Sequence, residues 1–145
     1  MKMDVTDVIT QLVTAFVGSL GFALMFGMRK RYLMASSLGG MVTWGIYMAM
    51  NAWLSSSFLA CLAASSFAII YSEVLARIYK TPATMFIMPS VVPLVPGGPL
   101  YYAMSEAVRG NMQQAGVYGR ETLLFALAIA SGICLVTSVR DLRHR

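Results

Sequence analysis

Glu73 and Arg77 stand four residues apart in an otherwise apolar run, Ser72-Glu-Val-Leu-Ala-Arg-Ile-Tyr79. That spacing, acid first, puts both side chains on one helical face in the order that favours an ion pair. An acid more than a turn inside an apolar span suits a substrate gate or a proton relay. The pair equally suits a static clamp whose arginine snorkels to the membrane surface. A few residues on, the uncharged stretch from Met85 to Met104 holds Pro89, Pro93, Pro96, Gly97, Gly98 and Pro99. Each interior proline removes an N–H and crowds the preceding turn, at about 3 kcal/mol. Irregular backbone at membrane depth survives only buried in protein or lining a polar cavity, and a broken membrane helix is a usual build of a transport site.

Beyond the break, Gly97-Gly98-Pro99-Leu100-Tyr101-Tyr102 reads as a helix start with Pro99 in the first helical position. The free N–H groups of that helix are expected to point into the bundle. They would carry about half a positive charge and receive a carboxylate. Glycines let a ligand approach the backbone, and Tyr101 and Tyr102 add hydroxyls and ring faces. The candidate substrate-binding or pathway residues are therefore Pro93, Pro96, Gly97, Gly98, Pro99, Tyr101 and Tyr102, with Glu73 and Arg77. A kinked structural helix without a ligand is the plainer alternative. Asp7, Gln11, Thr14 and Gly18 form a polar stripe on the first span, either a cavity wall or a set of helix-to-helix hydrogen bonds. Glu106, Arg109, Arg120 and Glu121 read as solvated charge near a membrane surface.

Other chemistry has little to work with. The single histidine, His144, lies in the C-terminal tail, and Cys61 and Cys134 sit far apart in apolar spans, as small buried packing residues. With no metal-ligand cluster and no nucleophile–base set in the spans, no metal, cofactor or enzymatic activity is expected. The net charge of +5 does not point to nucleic acid, because the basic residues lie at span ends.

The elements that must position these residues are membrane helices. Of 145 residues 58% are hydrophobic and 12% charged, with a mean hydropathy of +0.69, far from the soluble norm. The expected fold is an all-α integral membrane protein, one transmembrane domain over 1–145. It has five transmembrane helices at about 5–28, 33–54, 57–79, 83–108 and 122–139, the fourth broken by the Pro/Gly segment. The first run reads as a retained span, because Asp4 and Asp7 are wrong for a signal peptide's positive end. With the N-terminus outside, Arg29, Lys30, Arg31, Arg77, Lys80, Arg140, Arg143 and Arg145 lie inside, and only Lys2, Arg109 and Arg120 outside. N-out, C-in follows. Small residues recur every fourth position in three spans: Ala15, Ser19, Ala23 and Gly27; Ser56 through Ala60, Ala64, Ala68 and Ser72 to Ala76; and Thr122, Ala126, Ala130, Cys134 and Ser138. Such stripes let helices approach closely. The long one drifts around its helix and marks the third span as central.

The run Ser72-Glu-Val-Leu-Ala-Arg-Ile-Tyr-Lys-Thr-Pro-Ala-Thr84, with Pro93-Leu-Val-Pro-Gly-Gly98 and Tyr101-Tyr102, resembles the threonine/serine exporter family, in its second half. The resemblance implies a subunit of a secondary exporter of small hydrophilic metabolites, threonine and serine in the type case. It implies a bacterial cytoplasmic (inner) membrane location and a partner, a second membrane protein matching the family's first half. The substrate is expected to bear a carboxylate. A dicarboxylate exporter subunit and a non-transporting assembly or regulatory subunit are the alternatives, and an oligomer is left open.

Overall fold

Gly27 ends the first helix by entering the left-handed region at φ +65°, with Gly27 N–H donating to Leu24 O (2.9 Å) and Met28 N–H to Ala23 O (3.1 Å). This paired closure satisfies the last carbonyls, and Met28 folds back into the core beside Ala23. The computed structural model describes residues 5–54 and 56–143. They form α1 (Val5–Met25), α2 (Lys30–Leu54), α3 (Ser57–Tyr79), α4 (Thr84–Val91), a 3-10 turn (Val92–Leu94), α5 (Gly97–Val108) and α6 (Met112–Arg143), with no strand among the described residues. Lys80 closes α3 in the left-handed region at φ 52°, Thr81 N–H donates to Ala76 O, and Pro82 prevents continuation. Gly110, at φ +79°, ends α5 in the same manner.

The expected five long spans become four. Among the described residues only α1, α2, α3 and α6 are long and apolar enough to cross a membrane. The run 83–108 is cut into helices of 8 and 12 residues, about 12 and 18 Å long. Each is too short for a hydrocarbon core of about 30 Å. The last helix also begins at Met112 instead of Thr122, so its 32 residues reach about 48 Å.

α3 lies at the centre, against α2, α4 and α6. Ala60, Ala64, Ala68 and Ser72 of its long stripe are fully buried. α3 and α6 run parallel: Cys61 Sγ approaches Phe125 O, Ser65 Oγ donates to Ala128 O at 3.5 Å, and Arg140 meets Glu73. They approach closely at Gly132, where a Cβ would strike Ser65 Oγ and lie 3.1 Å from Leu62 O. The stripe expected on this helix does not make that seam: Ala126, Ala130, Cys134 and Ser138 are exposed, while Ala128 and Gly132 are buried. Cys134 is thus not the buried packing residue the sequence suggested, whereas Cys61 is buried.

Two apolar clusters cap the bundle core. At one end Ala23, Met28, Leu75 and Phe86 meet Tyr32, Tyr71 and Tyr79; at the other Cys61, Ala64, Leu94 and Ala128 meet Trp44, Tyr47 and Phe125. α4 and its 3-10 turn run from the first cluster to the second, supplying Phe86 and then Leu94. α5 then leaves α1–α3 and packs chiefly on α6.

Candidate functional site

The break is made by missing donors. Pro89 and Pro93 stand four apart, so the carbonyls of Met85 and Pro89 each lose the N–H an unbroken helix would supply. Val95 N–H donates to Val92 O (3.1 Å), Gly97 N–H to Val95 O (2.8 Å) and Leu100 N–H to Pro96 O (3.1 Å). Pro99 has no N–H to offer. Gly98 is therefore the one free donor of the first turn of α5 among the described residues. The helix begins at Gly97, so Pro99 is its third residue, not its first. Nor does this N-terminus point into the chain's interior. Gly97 and Gly98 are exposed with nothing within 4 Å of where a Cβ would stand, and α5 has no buried residue. Tyr101 is 68% and Tyr102 53% exposed, and Tyr102 packs against Tyr118 of α6 with ring centroids 5.5 Å apart.

On its other side the break faces the polar stripe of α1. Pro93 shares a groove of about 230 Å³ with Gln11, Thr14, Ala15 and Trp44. Trp44 Nε1 donates to Gln11 Oε1 at 3.3 Å. Thr14 Oγ1 donates within α1, 2.9 Å from both Thr10 O and Gln11 O, so its lone pairs remain for accepting. The groove offers the Gln11 amide N–H₂, the Thr14 oxygen and the Trp44 ring, and no charge. Gln11 and Thr14 were legible as one face of a helix; Trp44, 33 residues beyond Gln11, comes to them only through packing of α2 on α1. Asp7 and Gly18, from the same stripe, do not line the groove.

Glu73 sits at the far end of the bundle. From Cys61, which packs with Leu94, to Glu73 is about 18 Å along α3. Its partner is not Arg77: Glu73 Oε1 accepts from Arg140 Nη1 at 3.1 Å. Arg77 lines the same α3–α6 groove, with a volume of about 610 Å³, but makes no ion pair with the described residues. The nine sequence-derived candidates thus divide into two places that one small metabolite cannot touch together.

A third feature had no signal as a site in the sequence. Ser19, Ser36 and Ser90 are fully buried, and their hydroxyls have no hydrogen-bond partner among the described residues. Ser90 and Ser19 pack on the Gly39-Gly40 pair of α2, and Ser36 stands one turn before Gly40 on the same helix. A Cβ on Gly39 would lie 2.6 Å from Ser90 Oγ and 2.5 Å from Tyr71 Cε1. A Cβ on Gly40 would run into Ser19 Oγ and lie 3.0 Å from Pro89 O. Here α1, α2 and α4 touch almost backbone to backbone.

Long apolar helices around a broken segment are a usual build of membrane transport proteins. Residues 11–139 match the family described as Threonine/Serine exporter, ThrE, and the chain belongs to that family. It is a family of transporters, not of enzymes. Neither the curated proteins nor the solved structures contain a match.

Proposed function

We propose that this chain is one subunit of a secondary exporter of small hydrophilic metabolites, of the threonine/serine type, acting with a second membrane polypeptide. One observation carries the reading. The break at Pro93 opens onto Gln11, Thr14 and Trp44, while none of the described residues covers Gly97 and Gly98 just beyond it. A free backbone donor and a polar groove inside an apolar surface need a cover against lipid, and a partner's wall supplies it. The substrate carboxylate is placed at the Gly98 N–H, with Pro96, Pro99, Tyr101 and Tyr102 shaping the approach. An uncharged groove suits a zwitterion, whose two charges neutralise each other, better than a dicarboxylate.

Glu73 enters as a gate residue. Its pair with Arg140 ties α3 to α6, and exchanging that partner would let the two helices part. The basic ends of the helices support an N-out, C-in orientation in a bacterial inner membrane. The experiment is radiolabelled threonine and succinate efflux from proteoliposomes holding this chain, a co-encoded membrane partner, or both. Threonine efflux only with both agrees with the proposal. Robust efflux from this chain alone refutes the need for a partner, and succinate efflux alone refutes the substrate class.

A further inference from the structure

The α3–α6 groove at the Glu73 end is built for an amphipathic ligand. Its walls are Ile70 on α3 and Leu135 and Val139 on α6, all more than half exposed. Apolar side chains lining an open groove of about 610 Å³ fit an acyl chain better than a hydrophilic metabolite. The groove ends in charge. Among the described residues, two guanidiniums, Arg77 and Arg140, and one carboxylate line it, and that carboxylate is engaged with Arg140. Arg77 is thus left as a net positive group one turn before Lys80, where α3 ends. The end of a spanning helix is the depth at which phosphates of the headgroups lie. Basic pockets between spanning helices hold anionic headgroups, each arginine contributing about 1 kcal/mol.

We propose that this groove binds one anionic phospholipid, its phosphate against the Arg77 guanidinium and an acyl chain along Ile70, Leu135 and Val139. The lipid phosphate balances the charge of Arg77, and its acyl chain fills the groove between the two parallel helices. The proposal requires only that the chain spans a bilayer and does not depend on transport.

Native mass spectrometry of the full chain in neutral detergent tests it, titrating dioleoylphosphatidylglycerol against dioleoylphosphatidylcholine. The wild-type protein should retain one phosphatidylglycerol in preference to phosphatidylcholine. Arg77→Gln should reduce that preference about fivefold, the worth of one arginine. Arg77→Lys should keep most of it, and Glu73→Gln should increase it by removing the competing negative charge. Arg109→Gln, distant from the groove, should change nothing. Equal retention of both lipids, or an unchanged preference in Arg77→Gln, overturns the proposal. So does displacement of the lipid by millimolar inorganic phosphate, which would mark a free-anion site. If Arg77→Gln leaves lipid retention intact and releases a co-purifying membrane polypeptide, the groove is a helix-docking surface and the assignment fails.

Discussion

Glu73 accepts a hydrogen bond from Arg140 across 67 residues of chain, 3.1 Å away, although Arg77 stands one helical turn below it on its own helix. The pair is open on the arginine side, with side-chain exposures of 42% for Arg140 and 14% for Glu73. Its worth to stability is therefore small, under about 1 kcal/mol. Glu73→Gln should shift the melting temperature in detergent by only a few degrees and reduce export at least tenfold. Arg77→Ala should leave the Glu73–Arg140 pair in place and not reproduce that loss. Near-normal export by Glu73→Gln at equal expression would return the residue to a packing role.

Gly40→Ala should destabilise the bundle by about 1–3 kcal/mol, as overpacking does. The new methyl meets Ser19 Oγ and the Pro89 carbonyl, and backbone cannot swing aside. Gly40→Ala combined with Ser19→Gly should recover part of the loss, because one of the two obstacles is gone. Gly116→Ala, in open space, serves as the control. Thermal melting of the purified variants reads all three, and a Gly40→Ala protein as stable as wild type would contradict the close approach.

Ser19→Ala should be neutral or stabilising by up to about 1–3 kcal/mol, since it removes a buried hydroxyl without a partner. If that hydroxyl acquires water or substrate when α1 and α2 separate during transport, export should fall while stability holds. Measuring both quantities on one preparation separates the two effects. A clear loss of stability would mean that Ser19 Oγ is bonded after all.

Gly98→Val should fold and insert normally, because among the described residues nothing lies within 4 Å of the new Cβ and valine suits a membrane helix. Export should nevertheless be abolished by blocking the free N–H and the approach to it. Val91→Ala, on the other side of the break, should be mild. Wild-type export by a well-assembled Gly98→Val protein would move the site elsewhere.

Orientation is read by impermeant thiol labelling of intact cells in a Cys61→Ala, Cys134→Ala background. Gln113→Cys should label from outside and Lys30→Cys only after lysis. The reverse pattern would invert the topology.

The all-helical class, the place of the break and the basic ends were legible in the residues because each is set locally; the number of spans was not, since four long apolar helices stand where five were expected. A proline removes its own N–H wherever it stands, and an apolar run has a length that can be counted. Gly27, expected within the small-residue stripe of the first span, instead lies past the end of that helix in the left-handed region. The central place of α3 was legible too, since small residues every fourth position leave room for neighbours on several sides. What spacing cannot carry is the rotation and register of one helix against another. Glu73 and Arg77 share a helix, but the parallel α3–α6 seam, drawn together at Gly132 and Ser65, brings Arg140 to Glu73 first. The same seam turns Ala128 inward and leaves the periodic Ala126, Ala130 and Cys134 outward. The break was visible at Pro93, yet only packing decided that α5 would leave the bundle for α6, exposing Gly97 and Gly98. Only packing set the Gln11–Trp44 pair beside Pro93, because residues far apart in the chain meet where small side chains let backbones come close.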